Sequence, residues 1–394
     1  MKLPVAEVQA FLVDRGLDGW LLYDFRGVNP TALGALGLER HLLTRRWFYL
    51  VPARGEPTLL VHAIERGSFP HVGGAVRIYA GREAFATELG GLLRGLHKVA
   101  MEYCPLGAIP YLSRVDAGIV ELVRSLGMEV VSSGDLVQWF LARWDRAQVE
   151  SHRRASAALD AAREAAFKLV AERARAGQPA LETEVQDAMM AEFAQRRCVT
   201  DHPPIVAVGP HSADPHYVPT RERATPCKPG EMLLLDLWCK EDDARAVYAD
   251  ITWMAFIGAT PAPEHAKVWQ VVREGRDVGV EKVRRDHAEG KRIEGWQVDR
   301  AVRDHITSAG YGPQFLHRTG HSIGAQSVHG DGANIDDYET HDTRELVPGL
   351  AFSIEPGVYL EGRFGVRSEL DVFLAADGPH VYTPPQAELV KLLP

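Results

Sequence analysis

Cysteine is scarce, at four residues in a chain of 394 (Cys104, Cys198, Cys227 and Cys239). No two of them form a CxxC pair, so a zinc ribbon or a dithiol redox motif has no support. Scattered thiols fit a reducing cytoplasm, which is the expected location. No apolar run approaches the ~18 residues needed to cross a bilayer. At the N-terminus Val5, Val8, Phe11 and Leu12 have helical spacing, but Asp14 and Arg15 interrupt it, which suits neither a signal peptide nor an anchor. A basic excess is also missing. Lys and Arg total 44 against 53 Asp and Glu, a net charge of −9, so nothing advertises nucleic acid or an anionic membrane as a partner. GxGxxG and GxxxxGK[ST] are absent, which removes the usual phosphate cradles.

What is present reads as two domains. Over residues 1–145, short strand candidates (19–23, 47–51, 58–61, 99–102 and 129–132) alternate with helical patterns at 83–96 and 115–126, the signature of an α/β layer. From about residue 146 the composition turns to Ala, Arg and Glu, strong helix formers. Thr183 with Gln186 has capping-box spacing ahead of Val185, Met189 and Phe193. Further helices are expected at about 263–285 and 295–309, with Gly310 as a stop. Long helices beside separate strand runs make residues 146–394 an α+β domain.

The most informative feature is an internal echo. Pro229-Gly230 precedes an apolar run that ends on Asp236; Pro348-Gly349 precedes another that ends on Glu355. A second carboxylate follows 14 residues later in each copy, Asp250 and Glu369. Each copy reads as a hairpin bringing two carboxylates together. Asp and Glu are disfavoured in strands and costly to bury unpaired. Four converging carboxylates are tolerable only with cations between them, and two divalent ions would balance the charge.

His321 lies between Gly320 and Gly324, where glycines allow close backbone packing. His317 stands four residues earlier, but Gly320 argues against a helical HxxxH zinc pair. His216 and His329 are candidates for hydrogen bonding to a substrate carbonyl or oxyanion. A rival pattern overlaps His321: Gly320-His321-Ser322-Ile323-Gly324 fits GxSxG, with Asp371 and His380 downstream in serine-hydrolase order. That elbow requires a helix after it, and Gly330, Gly332 and Asn334 are poor material for one.

In combination these segments resemble a known family. Val208-Gly209-Pro210 through His216, Leu235-Asp236, Tyr248-Ala249-Asp250-Ile251-Thr252, Thr319-Gly320-His321-Ser322-Ile323-Gly324, Ile354-Glu355-Pro356-Gly357-Val358-Tyr359 and Val366-Arg367-Ser368-Glu369 occur in the order found in the creatinase, or pita-bread, metallopeptidases (M24), proline-specific branch. The resemblance implies a pita-bread catalytic domain with pseudo-two-fold symmetry behind a smaller creatinase-type N-terminal domain. It implies Asp236, Asp250, His321, Glu355 and Glu369 as ligands of two divalent ions, manganese first, with cobalt or zinc next. Glu355 would move the proton, His216 and His329 would face the substrate, and Arg367 would support the ligand shell. The expected substrate is a small peptide with proline second, an Xaa-Pro dipeptide as in prolidases, with an Xaa-Pro aminopeptidase acting on longer peptides as the alternative. A homodimer is expected from the resemblance alone. Creatinase itself lacks the metal set; its completeness here argues against an amidinohydrolase and against a non-catalytic binding module. Two departures stand out: the Asp236–Asp250 and His321–His329 intervals are longer than the family's. The segment His341–Arg344 lies where several prolidases carry an arginine for the dipeptide carboxylate, so His341 is a further substrate-binding candidate.

Overall fold

In the first part of the chain, apolar runs bounded by turn residues become strands covered on both faces. The computed structural model describes residues 3–39 and 41–394; Met1, Lys2 and Arg40 lie outside the described residues. The chain divides into two units, Met1–Ala142 and Arg143–Pro394. The first contains helix α1 (Val5–Asp14), β1 (Gly19–Asp24), α2 (Pro30–Leu36), β2 (Trp47–Pro52), β3 (Thr58–His62), β4 (Ala75–Tyr79), α3 (Arg82–Leu92), β5 (Lys98–Met101), α4 (Ala117–Ser125), β6 (Glu129–Ser132) and α5 (Gly134–Val137). The strands form one sheet in the order β4-β3-β2-β1-β5-β6. Alternate side chains of a strand face opposite ways. Trp20 and Leu22 of β1 pack with Val8 and Leu12 of α1, while Leu21 and Tyr23 pack with Phe85, Leu89 and Val123 of α3 and α4. The edge strand β4 escapes sequence reading because its Val76 and Ile78 are exposed, so its apolar alternation marks no core face.

In the second unit α6 (Arg146–Arg175) begins where the composition shifts, fixed by a capping box in which Gln148 N–H donates to Asp145 Oδ1 at 2.9 Å and Asp145 N–H to Gln148 Oε1 at 3.0 Å. Such a cap contributes about 1 kcal/mol. Next come α7 (Glu182–Gln195), β7 (Cys198–Val199), β8 (Ile205–Val208), β9 (Met232–Glu241), β10 (Ala249–Phe256), α8 (Pro263–Ala288), α9 (Gly295–Ser308), β11 (Ala351–Ile354), β12 (Gly357–Leu360), β13 (Phe364–Arg367), β14 (Leu370–Ala375), β15 (Gly378–Val381) and β16 (Val390–Lys391). The strands β16-β10-β9-β7, with β8 also on β9, form one sheet; β11-β14-β15 and β12-β13 form two smaller ones. The capping box expected at Thr183 and Gln186 is not the one used. The helix starts two residues earlier, with Leu181 at the N-cap, and Glu184 accepts the Leu181 N–H at 2.7 Å. Among the described residues no helix is long and apolar enough to cross a membrane.

Candidate metal centre

Strand parity places the first two carboxylates. Along β9 the odd residues Leu233, Leu235, Leu237 and Cys239 pack on Ala155, Leu159 and Val185 of α6 and α7. The even residues Met232 and Leu234 face the other way, toward Val268 and Trp269 of α8. Asp236 belongs to this second face. In the antiparallel β9–β10 ladder Thr252 stands opposite Asp236 and Asp250 opposite Trp238, so all four lie on one face with the aspartates diagonal to each other.

The second copy is a hairpin with a gap at its carboxylates. β11 pairs with β14 up to Ile354 opposite Leu370, and β12 pairs with β13 from Gly357 opposite Arg367, so the register runs through Glu355 and Glu369 face to face. At the break one ladder bond survives, Ser368 N–H to Pro356 O at 3.3 Å, and its counterpart is missing because Pro356 has no N–H; the glutamate N–H groups point outward, Glu355 to Thr319 O at 2.7 Å and Glu369 to Thr252 O at 3.2 Å. The matched 14-residue spacing therefore yields different registers, diagonal in one copy and opposed in the other.

The histidine is oriented as an acceptor. His321 Nδ1 lies 2.9 Å from Ser322 O. A carbonyl only accepts, so Nδ1 carries the proton and Nε2 is bare. That bare nitrogen lies 3.4 Å from Glu355 Oε1 and 3.6 Å from Asp250 Oδ2. Burial holds the imidazole neutral, helped by His329 and Arg318. Asp250 Oδ1 and Glu369 Oε1 are buried with no hydrogen-bond partner. One ligand atom from each of Asp250, His321 and Glu369 lies within 4.8 Å of the others. Burial raises the Asp250 and Glu369 carboxyls far above their usual range; for both, Asp236 and Glu355 add to it. Glu355 is pushed up to about 7, by burial first. Bare acceptors facing one another fit a divalent cation: the oxygens are hard donors, the imidazole a borderline one.

Around these groups is a supporting shell that sequence reading named only in part. Arg367 pairs with Asp236 through Nη2 and donates from Nε to Thr252 Oγ1 at 3.1 Å. Its Nη1 donates to the Tyr359 hydroxyl at 3.0 Å, which donates to His317 Nε2 at 2.7 Å, since His317 Nδ1 is spent on Arg318 O. His317, set aside as a ligand, thus ends a chain that leads to Asp236. Burial and the Arg367 charge keep it neutral, with a pKa of about 3. Thr252 Oγ1 also donates to Glu369 Oε2 at 2.8 Å. Asp371 accepts the Asp250 N–H at 2.8 Å. The fixed i, i+2 steps from Asp250 to Thr252 and from Glu369 to Asp371 were the available signal for these two.

The other candidates are placed as follows. His329 has an exposed edge, but its ring stands 4.2 Å from that of His321, and burial followed by the charge of Arg318 lowers its pKa to about 4. His216 is exposed, in a segment whose Pro215 carbonyl accepts from Arg367 Nη1 at 3.3 Å. His341 hydrogen-bonds Asp337 at 2.7 Å and packs on Trp296; no contact among the described residues joins it to the cluster. Arg344 is buried and committed to Asp342, at 2.6 and 3.0 Å. The serine-hydrolase pattern does not assemble. Ser322 is buried with Oγ accepting the Gly332 N–H, turns rather than a helix follow it, and His380 bonds Asp377 while Asp371 serves Asp250.

Acidic acceptors around one neutral imidazole, carried by paired hairpins, define a metallopeptidase. Residues 150–376, more than half of the chain, match the model of metallopeptidase family M24, and the chain belongs to that family. A Xaa-Pro dipeptidase of Lactobacillus helveticus is 31% identical over 228 residues, 57% of this chain and 54% of that protein, so the match spans about half of that relative's length. The probable dipeptidase PepE of Mycobacterium tuberculosis (strain ATCC 25618 / H37Rv) is 27% identical over 355 residues, 87% of this chain and 84% of that one. Among solved structures, dipeptidase PepE from Mycobacterium ulcerans superposes with a TM-score of 0.75 at 24% identity, covering 99% of this chain and 97% of that one. The prolidase from Thermococcus sibiricus gives 0.69 at 23%, covering 98% of each. These likenesses establish the pita-bread fold.

Proposed function

We propose that this protein hydrolyses the peptide bond preceding proline in Xaa-Pro dipeptides, using two divalent ions held by Asp236, Asp250, His321, Glu355 and Glu369. The observation that carries it is the bare Nε2 of His321 facing Asp250 Oδ2 and Glu355 Oε1, beside the buried Asp250 Oδ1 and Glu369 Oε1 that have no hydrogen-bond partner. Bound there, the ions supply Lewis-acid polarisation of the scissile carbonyl and water of lowered pKa. Glu355, whose Oε1 accepts from Ser353 Oγ at 3.1 Å, would be the group that takes a proton and returns it to the leaving nitrogen. His329 and His216 donate N–H to the developing oxyanion. Arg367 orients Asp236 through its Nη2 contact.

The names of the relatives, Xaa-Pro dipeptidase and prolidase, support the dipeptide substrate. The ligand set is rich in carboxylate, which favours manganese or cobalt over a zinc site built on several imidazoles and thiolates. The test is metal analysis joined to kinetics on Ala-Pro and Ala-Pro-Ala, with and without a chelator. Chelator-sensitive cleavage of Ala-Pro is expected. Comparable cleavage of the tripeptide moves the assignment to an Xaa-Pro aminopeptidase. Protein loaded with two ions that cleaves neither peptide overturns the reading.

A further inference from the structure

Glu182 opens α7 with its side chain completely buried. An ionised carboxylate is purely an acceptor, and four donors converge on this one: the main-chain N–H of Val208 and of Thr225, each at 2.9 Å, the Tyr217 hydroxyl at 2.7 Å and His211 Nδ1 at 2.9 Å. Its place in the first turn of a helix favours the negative charge. Charge-assisted bonds are the strong ones, and here every carboxylate bond goes to a single segment, residues 208–225.

Those donors bracket His216 on both sides. The rings of His211 and Tyr217 stack at 4.2 Å and 22°, so each fixes the other against Glu182. The opposite side of the segment is tied to the metal-centre strands: Ser212 Oγ accepts the Gly365 N–H at 2.8 Å, and Pro215 O accepts from Arg367 Nη1. The segment is therefore held between Glu182 on one side and β13 with Arg367 on the other. His216 lies between the two attachments with only its N–H held locally, by Asp214 Oδ1 at 3.1 Å.

We infer that Glu182 is a positioning residue for His216: through Tyr217, His211 and two main-chain N–H groups it sets where that imidazole stands beside the metal centre. The inference rests on the role proposed above for His216, and the experiment separates the two. Metal-loaded H216A, E182Q and E182Q/H216A proteins are compared for kcat, KM, metal content and Tm on Ala-Pro. A glutamine at 182 turns an N–H₂ toward groups that are themselves donors. H216A is expected to lower kcat on the order of 100-fold, the cost of an oxyanion donor. E182Q is expected to lower kcat and kcat/KM alike by at least about 10-fold with metal content intact, and to cost less than about 2-fold further in the H216A background. A carboxylate that served the fold alone would lower Tm and leave kcat in place. E182Q with unchanged kcat beside an impaired H216A overturns this inference, as do losses that multiply in the double variant. An H216A protein at full kcat overturns the role of His216 itself. Should E182Q fail to fold, Y217F and H211A each remove one donor. Their smaller losses of kcat are likewise expected to vanish in the H216A background, and full kcat in both overturns the inference.

Discussion

Thr252 and Glu369 are bonded twice, Glu369 N–H to Thr252 O at 3.2 Å and Thr252 Oγ1 to Glu369 Oε2 at 2.8 Å. This stitches the first hairpin to the second at the carboxylates. It leaves Glu369 Oε1 as the oxygen without a partner. The same hydroxyl accepts from Arg367 Nε, so one threonine orients a carboxylate from each half.

Replacing Thr252 by valine keeps the shape and removes that hydroxyl. Metal affinity is expected to fall about 10-fold, within the range for partners of metal ligands. Titration of the chelated protein with Mn²⁺, followed calorimetrically, checks this. Wild-type affinity in T252V would show that the hydroxyl is dispensable.

Arg367→Lys removes the fork that serves Asp236, Thr252 and Tyr359 together. Lysine is a point charge and cannot reproduce three directed bonds. Loss of kcat or metal affinity by 10-fold or more is expected. R367K and R367A should be nearly equal in kcat and metal content, since geometry rather than charge is lost. Rescue by lysine would assign the role to charge alone.

Metal removal should expose the repulsion. Without cations, Asp250 and Glu369 are buried acids with unpartnered oxygens. E369Q is therefore expected to raise the Tm of chelated protein by a few degrees, the scale of about 1–2 kcal/mol in a unit of this size, while abolishing activity. Differential scanning of E369Q and wild type, chelated and manganese-loaded, measures both. A lower Tm for chelated E369Q would contradict the repulsion.

The pH dependence follows with a definite sign. An unfolded glutamate titrates near ~4.3, whereas Glu355 in the folded, metal-free chain titrates near 7. Across that window the folded state holds a proton that the unfolded state has lost, so stability of the metal-free protein falls as pH rises from about 4.3 toward 7. Asp250 and Glu369 shift in the same direction. Adding Mn²⁺ near pH 6 should release protons, detectable in weakly buffered indicator solution, and should flatten the pH dependence of Tm. Proton uptake on metal binding would be the contrary result.

By itself the sequence determined the local chemistry: which apolar runs end on carboxylates, that the two carboxylate pairs share a spacing, and that His321 sits in a glycine-flanked bend. Those features follow from side-chain period and turn residues, which act over a few positions. Only the tertiary structure decided the rest. That Asp236 and Asp250 lie diagonal while Glu355 and Glu369 face each other depends on register, which a common spacing does not specify. That His317 reaches Asp236 through Tyr359 and Arg367, and that Glu182 gathers donors from residues 208–225, depends on contacts between segments far apart in the chain. Burial gives such contacts their strength, and burial is a property of the packed fold, not of any short stretch of residues.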